Sequence, residues 1–165
     1  MKKITKFQKL KEEYYDIYSE FNKIDKYREL SASVHHGISR KDHIHRVGFI
    51  SFLISKLFKL DAISTTRGAL LHDFFTDNDV SEYSKRWWHK MHPYLALNNS
   101  LNYFELNDKE KNIIQSHMFP LTFELPKYKE SVIVGIVDKL VSIYEFSRFN
   151  VKAYAYFVLL FISTR

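Results

Sequence analysis

The sequence predicts an all-α protein, a helical bundle, and three observations carry that prediction. Apolar residues recur at three- and four-residue spacing in one segment after another. Four glycines and three prolines in 165 residues leave few places for glycine turns between strands. Helix-start signals, Ser39 with Asp42 and Asn107 with Glu110, stand directly before periodic segments.

Taken in order, residues 5 to 33 form one or two amphipathic helices, with Phe7, Leu10, Tyr14, Ile17, Tyr18, Phe21 and Ile24 as the apolar face. This N-terminal segment, 1–34, is expected to pack on the core. Val34 to Ser39 interrupts it, with Gly37 as a helix stop and Ser39 as the N-cap of a helix running from about 40 to 59. That helix carries Arg40, His43, His45 and Arg46 ahead of a wide apolar sector. His43 continues the line Val47-Ile50-Ile54-Leu57, whereas His45 points toward Phe49 and Phe52. Each could be a satisfied core histidine, and its value as a ligand depends on what the rest of the chain supplies.

The next helix ends in Gly68-Ala69-Leu70-Leu71-His72-Asp73. Helical side chains lean over the preceding turn, so the two smallest residues leave room beside the His-Asp pair. A carboxylate among phenylalanines is costly to bury unless it is paired or metal-bound. Thr76 to Lys90 reads as a polar connection with a short helix around Trp87-Trp88, which anchors a loop or roofs a pocket. His92-Pro93 is expected to open a helix, because proline suits the first turn. That would set His92 near the positive end of the macrodipole.

Asn107-Asp108-Lys109-Glu110 starts another helix that reaches His117, with Ile113 and His117 on one buried side and Pro120 as the stop. From Glu130 to Phe146 the chain is apolar nearly all round, the pattern of a buried helix. Asp138 stands in its middle with Gly135 a turn before, and the competing reading there is a structural salt bridge to a lysine. The tail, 148–165, ends in an apolar run shorter than the roughly 20 residues that span a bilayer. It is expected to be a terminal core or interface helix, and a homo-oligomer is one outcome of that.

The composition, 45% hydrophobic and 27% charged, is that of an ordinary globular domain. No cysteine is present, which excludes disulfides, thiolate metal sites and cysteine nucleophiles and fits a cytoplasmic location. The basic N-terminus has no apolar signal core behind it. A net charge of +6 favours anionic partners. Lysines spread along helices rather than gathered in one stripe argue against nucleic acid.

The helices bring forward His43, His72, Asp73, His92, His117 and Asp138 as nitrogen and oxygen ligands without sulfur. Such a set suits one or two divalent transition-metal ions, iron or manganese first, with cobalt, nickel or zinc as alternatives. The order His, His-Asp, His, His, Asp resembles that of the HD-domain metal-dependent phosphohydrolase superfamily. Arg40-x-x-His43-x-x-x-Val47, Ala69-Leu70-Leu71-His72-Asp73, His92-Pro93-x-x-Ala96, Ile113-x-x-x-His117 and Ile136-Val137-Asp138-Lys139 are each similar to one of its motifs. The resemblance covers roughly residues 35 to 147. It is nearest to small bacterial HD proteins, including those that hydrolyse dinucleoside polyphosphates.

The resemblance implies an all-α HD domain over 35–147. It implies a first metal on His43, His72, Asp73 and Asp138, and a second on Asp73, His92 and His117. His45 competes with His43, and the Arg-x-x-His and His-x-x-x-Val registers favour His43. It implies hydrolysis of a nucleotide or other small phosphoester by metal-activated hydroxide, with His72 and Asp73 at the reacting centre. The chain departs from many family members in following His-Asp with Phe74-Phe75-Thr76-Asp77 instead of glycine and lysine. Arg40, Arg46, His89 and Lys139 are the remaining candidates for phosphate contact. Two other readings share the ligands: a di-iron oxygenase, and a non-catalytic nucleotide-sensing module.

Overall fold

The computed structural model describes residues 5–32, 34–35, 38–80 and 88–163, with side chains described within 5–32, 38–80 and 90–148. The described chain is all-α apart from one two-residue hairpin. Its helices are α1 (Lys6–Phe21), α2 (Asp25–Glu29), α3 (Arg40–Leu57), α4 (Ala62–Leu71), α5 (Trp88–Tyr103), α6 (Asp108–Ser116) and α7 (Lys129–Ser163). Strands β1 (Val34–His35) and β2 (Ile38–Ser39) pair antiparallel, Val34 opposite Ser39 and His35 opposite Ile38. The sequence reading had no strand here; the β-branched Val34 and Ile38 suit a short strand pair. Gly37, expected as a helix stop, lies outside the described residues.

Local signals set the helix starts. Thr5 and Gln8 form a capping box at α1, and Asn107 and Glu110 form another at α6. Ser39 accepts from the Asp42 amide at α3, and Asp61 accepts from the Ser64 amide at α4. At its other end α3 closes with Lys59 in the left-handed region, φ 55°. The Leu60 amide then reaches the Ser55 carbonyl at 2.9 Å and the Lys59 amide reaches Lys56 at 3.3 Å, the Schellman pattern without its usual glycine. A left-handed residue with a Cβ costs about 1–2 kcal/mol, and glycine returns about 0.5–1 of that through backbone entropy. Lys59→Gly is therefore expected to stabilise the protein modestly, by roughly 0.5 kcal/mol, read as a higher urea midpoint. An unchanged or lower midpoint would refute this account of the cap.

The core is one aromatic mass beside a smaller aliphatic one. Tyr14 and Phe21 of α1, Tyr27, Phe52, Phe74 and Phe75 are fully buried together with Ile44, Leu70, Leu71 and Ile114. Val47, Ala69, Ile113, Val134, Val137 and Val141 form the second cluster, where α3, α4, α6 and α7 meet. α1 and α2 thus contribute to the main core. The boundary expected at 147/148 falls inside α7, whose helix runs on to Ser163.

Two expectations are corrected. Gly68 does not leave room for a ligand. A Cβ added there would lie 2.8 Å from Cβ, Cγ2 and Cδ1 of Ile113, so the space belongs to α6. Ile113 is stiff at χ1 and cannot swing away. Gly68→Ala is expected to destabilise by about 1–3 kcal/mol through overpacking, seen as a lower melting temperature. Because Ile113 lies one turn before His117, the same variant is expected to weaken metal uptake. Nor is α7 buried all round: Val132, Ile136, Leu140, Ile143 and Tyr144 are exposed. Val134, Val137 and Val141 face the core, while the other side of the apolar helix is uncovered among the described residues.

Candidate metal centre

The centre forms where the ends of α4 and α6, the first turns of α3, the second turn of α5 and the middle of α7 converge. His72 and His117 hold the same position in their helices. Each is the residue immediately after the last helical one. The last carbonyls of a helix have no amide partner. The Nδ1–H of His72 donates to the Ala69 carbonyl at 2.7 Å, and that of His117 to the Ile114 carbonyl at 2.7 Å. Those bonds fix both tautomers and turn both Nε2 lone pairs into the centre.

His43 lies inside α3, where carbonyls are already engaged, and takes a different partner. Its Nδ1 lies 2.8 Å from Oε2 of Glu145, and its Nε2 lies 3.1 Å from Oδ1 of Asp138. Asp138 Oδ1 is also 3.6 Å from Nε2 of His72. Asp73 Oδ2 is 3.8 Å from Nε2 of His72. The other Asp73 oxygen, Oδ1, is 3.5 Å from Nε2 of His92 and 3.7 Å from Nε2 of His117. The two Nε2 atoms of His92 and His117 are themselves 2.9 Å apart.

All six residues are buried. Two groups fall close enough to hold an ion, His43 with His72 and Asp73, and Asp73 with His92 and His117, and Asp73 belongs to both. The electrostatics separate the histidines. Burial and the neighbouring His72 and His92 push His117 down to about 3, so it is neutral. Burial also pulls on His43, but the carboxylates of Asp138 and Glu145 outweigh it and raise its pKa to about 9. His72 is raised against burial by Asp73 and Asp138. Asp138 is held well below the usual carboxylate range: burial opposes this, and the hydrogen bond with His43 and the nearby His72 overcome it.

The donor set fits a metal. Nε2 of His72 is a fully buried ring nitrogen with no hydrogen-bond partner, facing two carboxylates. His117 Nε2 carries a lone pair, so at most one proton lies between it and His92. Converging imidazole lone pairs and carboxylate oxygens, without sulfur, suit a borderline transition metal.

The structure brings His43, His72, Asp73, His92, His117 and Asp138 together. His45 is not. It packs against Tyr14, Tyr15 and Tyr18, its ring 4.8 Å from that of Tyr18. Asp138 pairs with histidines rather than a lysine. His92 sits in the second turn of α5, not at its start, since the helix begins at Trp88. The helix-dipole effect fades within one turn, so it has little hold on His92.

The phosphate candidates are more dispersed. Arg40 is buried, donates to the Phe75 carbonyl at 2.8 Å, stacks over the Phe75 ring at 3.9 Å and lies 3.4 Å from Asp77. Arg46 pairs with Glu145. Lys139 Nζ donates to the carbonyls of His117 at 2.8 Å and Gly135 at 3.1 Å, tying α7 to the end of α6. The side chain of His89 and residues 81–87 lie outside the described part, and Trp88 to Lys90, expected in a connection, belong to α5. The sequence reading missed Glu145. Its signal is its place seven residues after Asp138, two turns on and on the same helix face.

The fold and the cluster together define an all-α protein with buried His/Asp groups able to hold a metal ion, an arrangement compatible with an HD-type fold. Compared with known protein families, curated proteins and solved structures, the chain matches none. Among the described residues no helix is long and apolar enough to cross a membrane.

Proposed function

We propose that the chain is a metal-dependent phosphohydrolase of the HD superfamily, acting on a nucleotide or another small phosphoester. The observation that carries this reading is the sharing of Asp73 by two adjacent ligand groups. His43, His72, Asp73 and Asp138 would hold one divalent ion, and Asp73, His92 and His117 a second. Iron or manganese comes first, with cobalt, nickel or zinc as alternatives. Bound divalent ions would supply the Lewis acidity that activates water and offsets charge on a phosphoryl group.

The chain's own residues prepare that chemistry. Backbone carbonyls hold His72 and His117 in one tautomer, so neither ring must reorganise. The two oxygens of Asp73 face different sides of the cluster, toward His72 and toward His92 and His117. The Phe74 and Phe75 side chains are buried beside it, which keeps the local dielectric low and strengthens charge interactions. Arg40 is the phosphate candidate with most support, because its guanidinium sits on Phe75, whose ring lies 5.8 Å from that of His92.

The test is metal analysis of protein purified without added metal or chelator, with turnover on a panel of phosphoesters. About two equivalents of a transition metal with release of phosphate or nucleotide is the expected result. One equivalent with turnover would give His92 and His117 a role in holding substrate. Metal with oxygen consumption instead of hydrolysis would replace this reading by the oxygenase one, and nucleotide binding without turnover by the sensing one.

A further inference from the structure

We propose that Glu145 is the positioning residue for His43, fixing the ring so that its Nε2 is presented to the metal site, with Arg46 holding the Glu145 carboxylate in place. The inference rests on the metal-centre reading above and adds a residue to it. For three of the four histidines in the cluster the acceptor behind the ring is defined. His72 and His117 find one in carbonyls freed at their helix ends, at 2.7 Å each. His43 begins the second turn of an 18-residue helix, where the carbonyl three residues back belongs to the helix ladder. Its Nδ1–H must find an acceptor on another element.

Glu145 supplies it from α7. Its side chain is 1% exposed, its Oε2 is 2.8 Å from His43 Nδ1, and its Oε1 takes the Arg46 guanidinium. A buried carboxylate with one partner would be costly, and the second partner removes that cost. Arg46 lies three residues after His43, so ring and guanidinium rise from one face of α3 and grip the two oxygens of one carboxylate. Asp138 and Glu145 are seven residues apart on one face of α7. The first faces Nε2 and the second Nδ1, so a single helix addresses both sides of the His43 ring. A carboxylate behind an imidazole makes it a stronger donor than a carbonyl does. His43 is thereby set apart from the two rings backed by carbonyls.

The experiment measures Zn²⁺ affinity by chelator competition in wild type, Glu145→Ala, Glu145→Gln, His43→Ala and the double variant His43→Ala/Glu145→Ala. Circular dichroism checks that each is folded. Glu145→Ala is expected to weaken Zn²⁺ binding by about 10- to 100-fold, the usual loss for a partner behind a ligand. Glu145→Gln, whose amide oxygen still accepts from Nδ1–H, is expected to recover most of it. In the His43→Ala background, Glu145→Ala is expected to add little, because the path runs through the ring. Additive losses in the double variant, or a Glu145→Ala affinity equal to wild type, would overturn the assignment while leaving the metal centre standing. A wild-type protein that takes up no Zn²⁺, Mn²⁺ or Fe²⁺ would overturn the metal-centre reading itself. Should Glu145→Ala not fold, Glu145→Leu, which fills the space but accepts no hydrogen bond, takes its place in the same cycle.

Discussion

Asp73→Ala is expected to abolish metal binding at both positions and to reduce phosphoester turnover by at least ~10²- to 10³-fold, the scale seen when one preorganised electrostatic group is removed from a reacting centre. Among the described residues no other belongs to both ligand groups. Asp73 belongs to both ligand groups, whereas His43 belongs only to one and His92 and His117 only to the other. His92→Ala is therefore expected to leave part of the metal content in place, and Asp73→Ala none. The two variants separate a shared carboxylate from a set of unrelated buried groups. Measured metal content and turnover decide it, with circular dichroism as the folding control. If Asp73→Ala kept one full equivalent of metal, the carboxylate would not be common to both sites. If it also kept full turnover, the hydrolase proposal would fail.

The features legible in the sequence are those set by neighbours along the chain. Ser39 and Asp42, or Asn107 and Glu110, stand only three positions apart, and both caps form. The His72-Asp73 pair lies at the end of a helix because an apolar run stops there, and Asp138 stands out because a carboxylate in an apolar helix needs a reason. What could not be read depends on the partner across the fold. Hydrophobicity alone does not say which side of α7 is covered, so Ile136 and Leu140 looked as buried as Val134 and Val137. Gly68 showed that space exists but not that Ile113 fills it. Pro93 looked like a first-turn residue, yet a helix tolerates it one turn further in, at the cost of one bond to the carbonyl of residue 89. Glu145 meets His43 across 102 residues of sequence, a pairing that only the packing of α7 on α3 creates.

Metal-free protein is expected to lose stability as the pH is raised from about 6.5 to 9. The folded protein holds the His43 proton more tightly than the unfolded chain does. Burial alone would work the other way, but the carboxylates of Asp138 and Glu145 lift the pKa from 6.5 to about 9. A raised histidine contributes its stabilisation fully below the unfolded value and loses it as the pH climbs through the folded one. At 1.36 kcal/mol per unit, that shift corresponds to at most ~3 kcal/mol. The depressed Asp138 is the other side of the same pair and is not a second contribution. On the acid side the sign reverses through His117, whose pKa falls to about 3 because burial and its histidine neighbours oppose the charge. The unfolded chain then binds the extra proton between pH 6.5 and 3, and stability falls as the pH falls. Metal changes the alkaline limb. A cation taking the place of the His43 Nε2 proton is bound with proton release at pH 7, so its apparent affinity rises with pH. Urea midpoints at pH 6, 7.5 and 9, with chelator and with Mn²⁺, read both effects. The chelated protein should weaken steadily toward pH 9 while the Mn²⁺-loaded protein holds its midpoint. Equal slopes in the two series would mean that the proton on His43 and the metal do not compete for the same nitrogen.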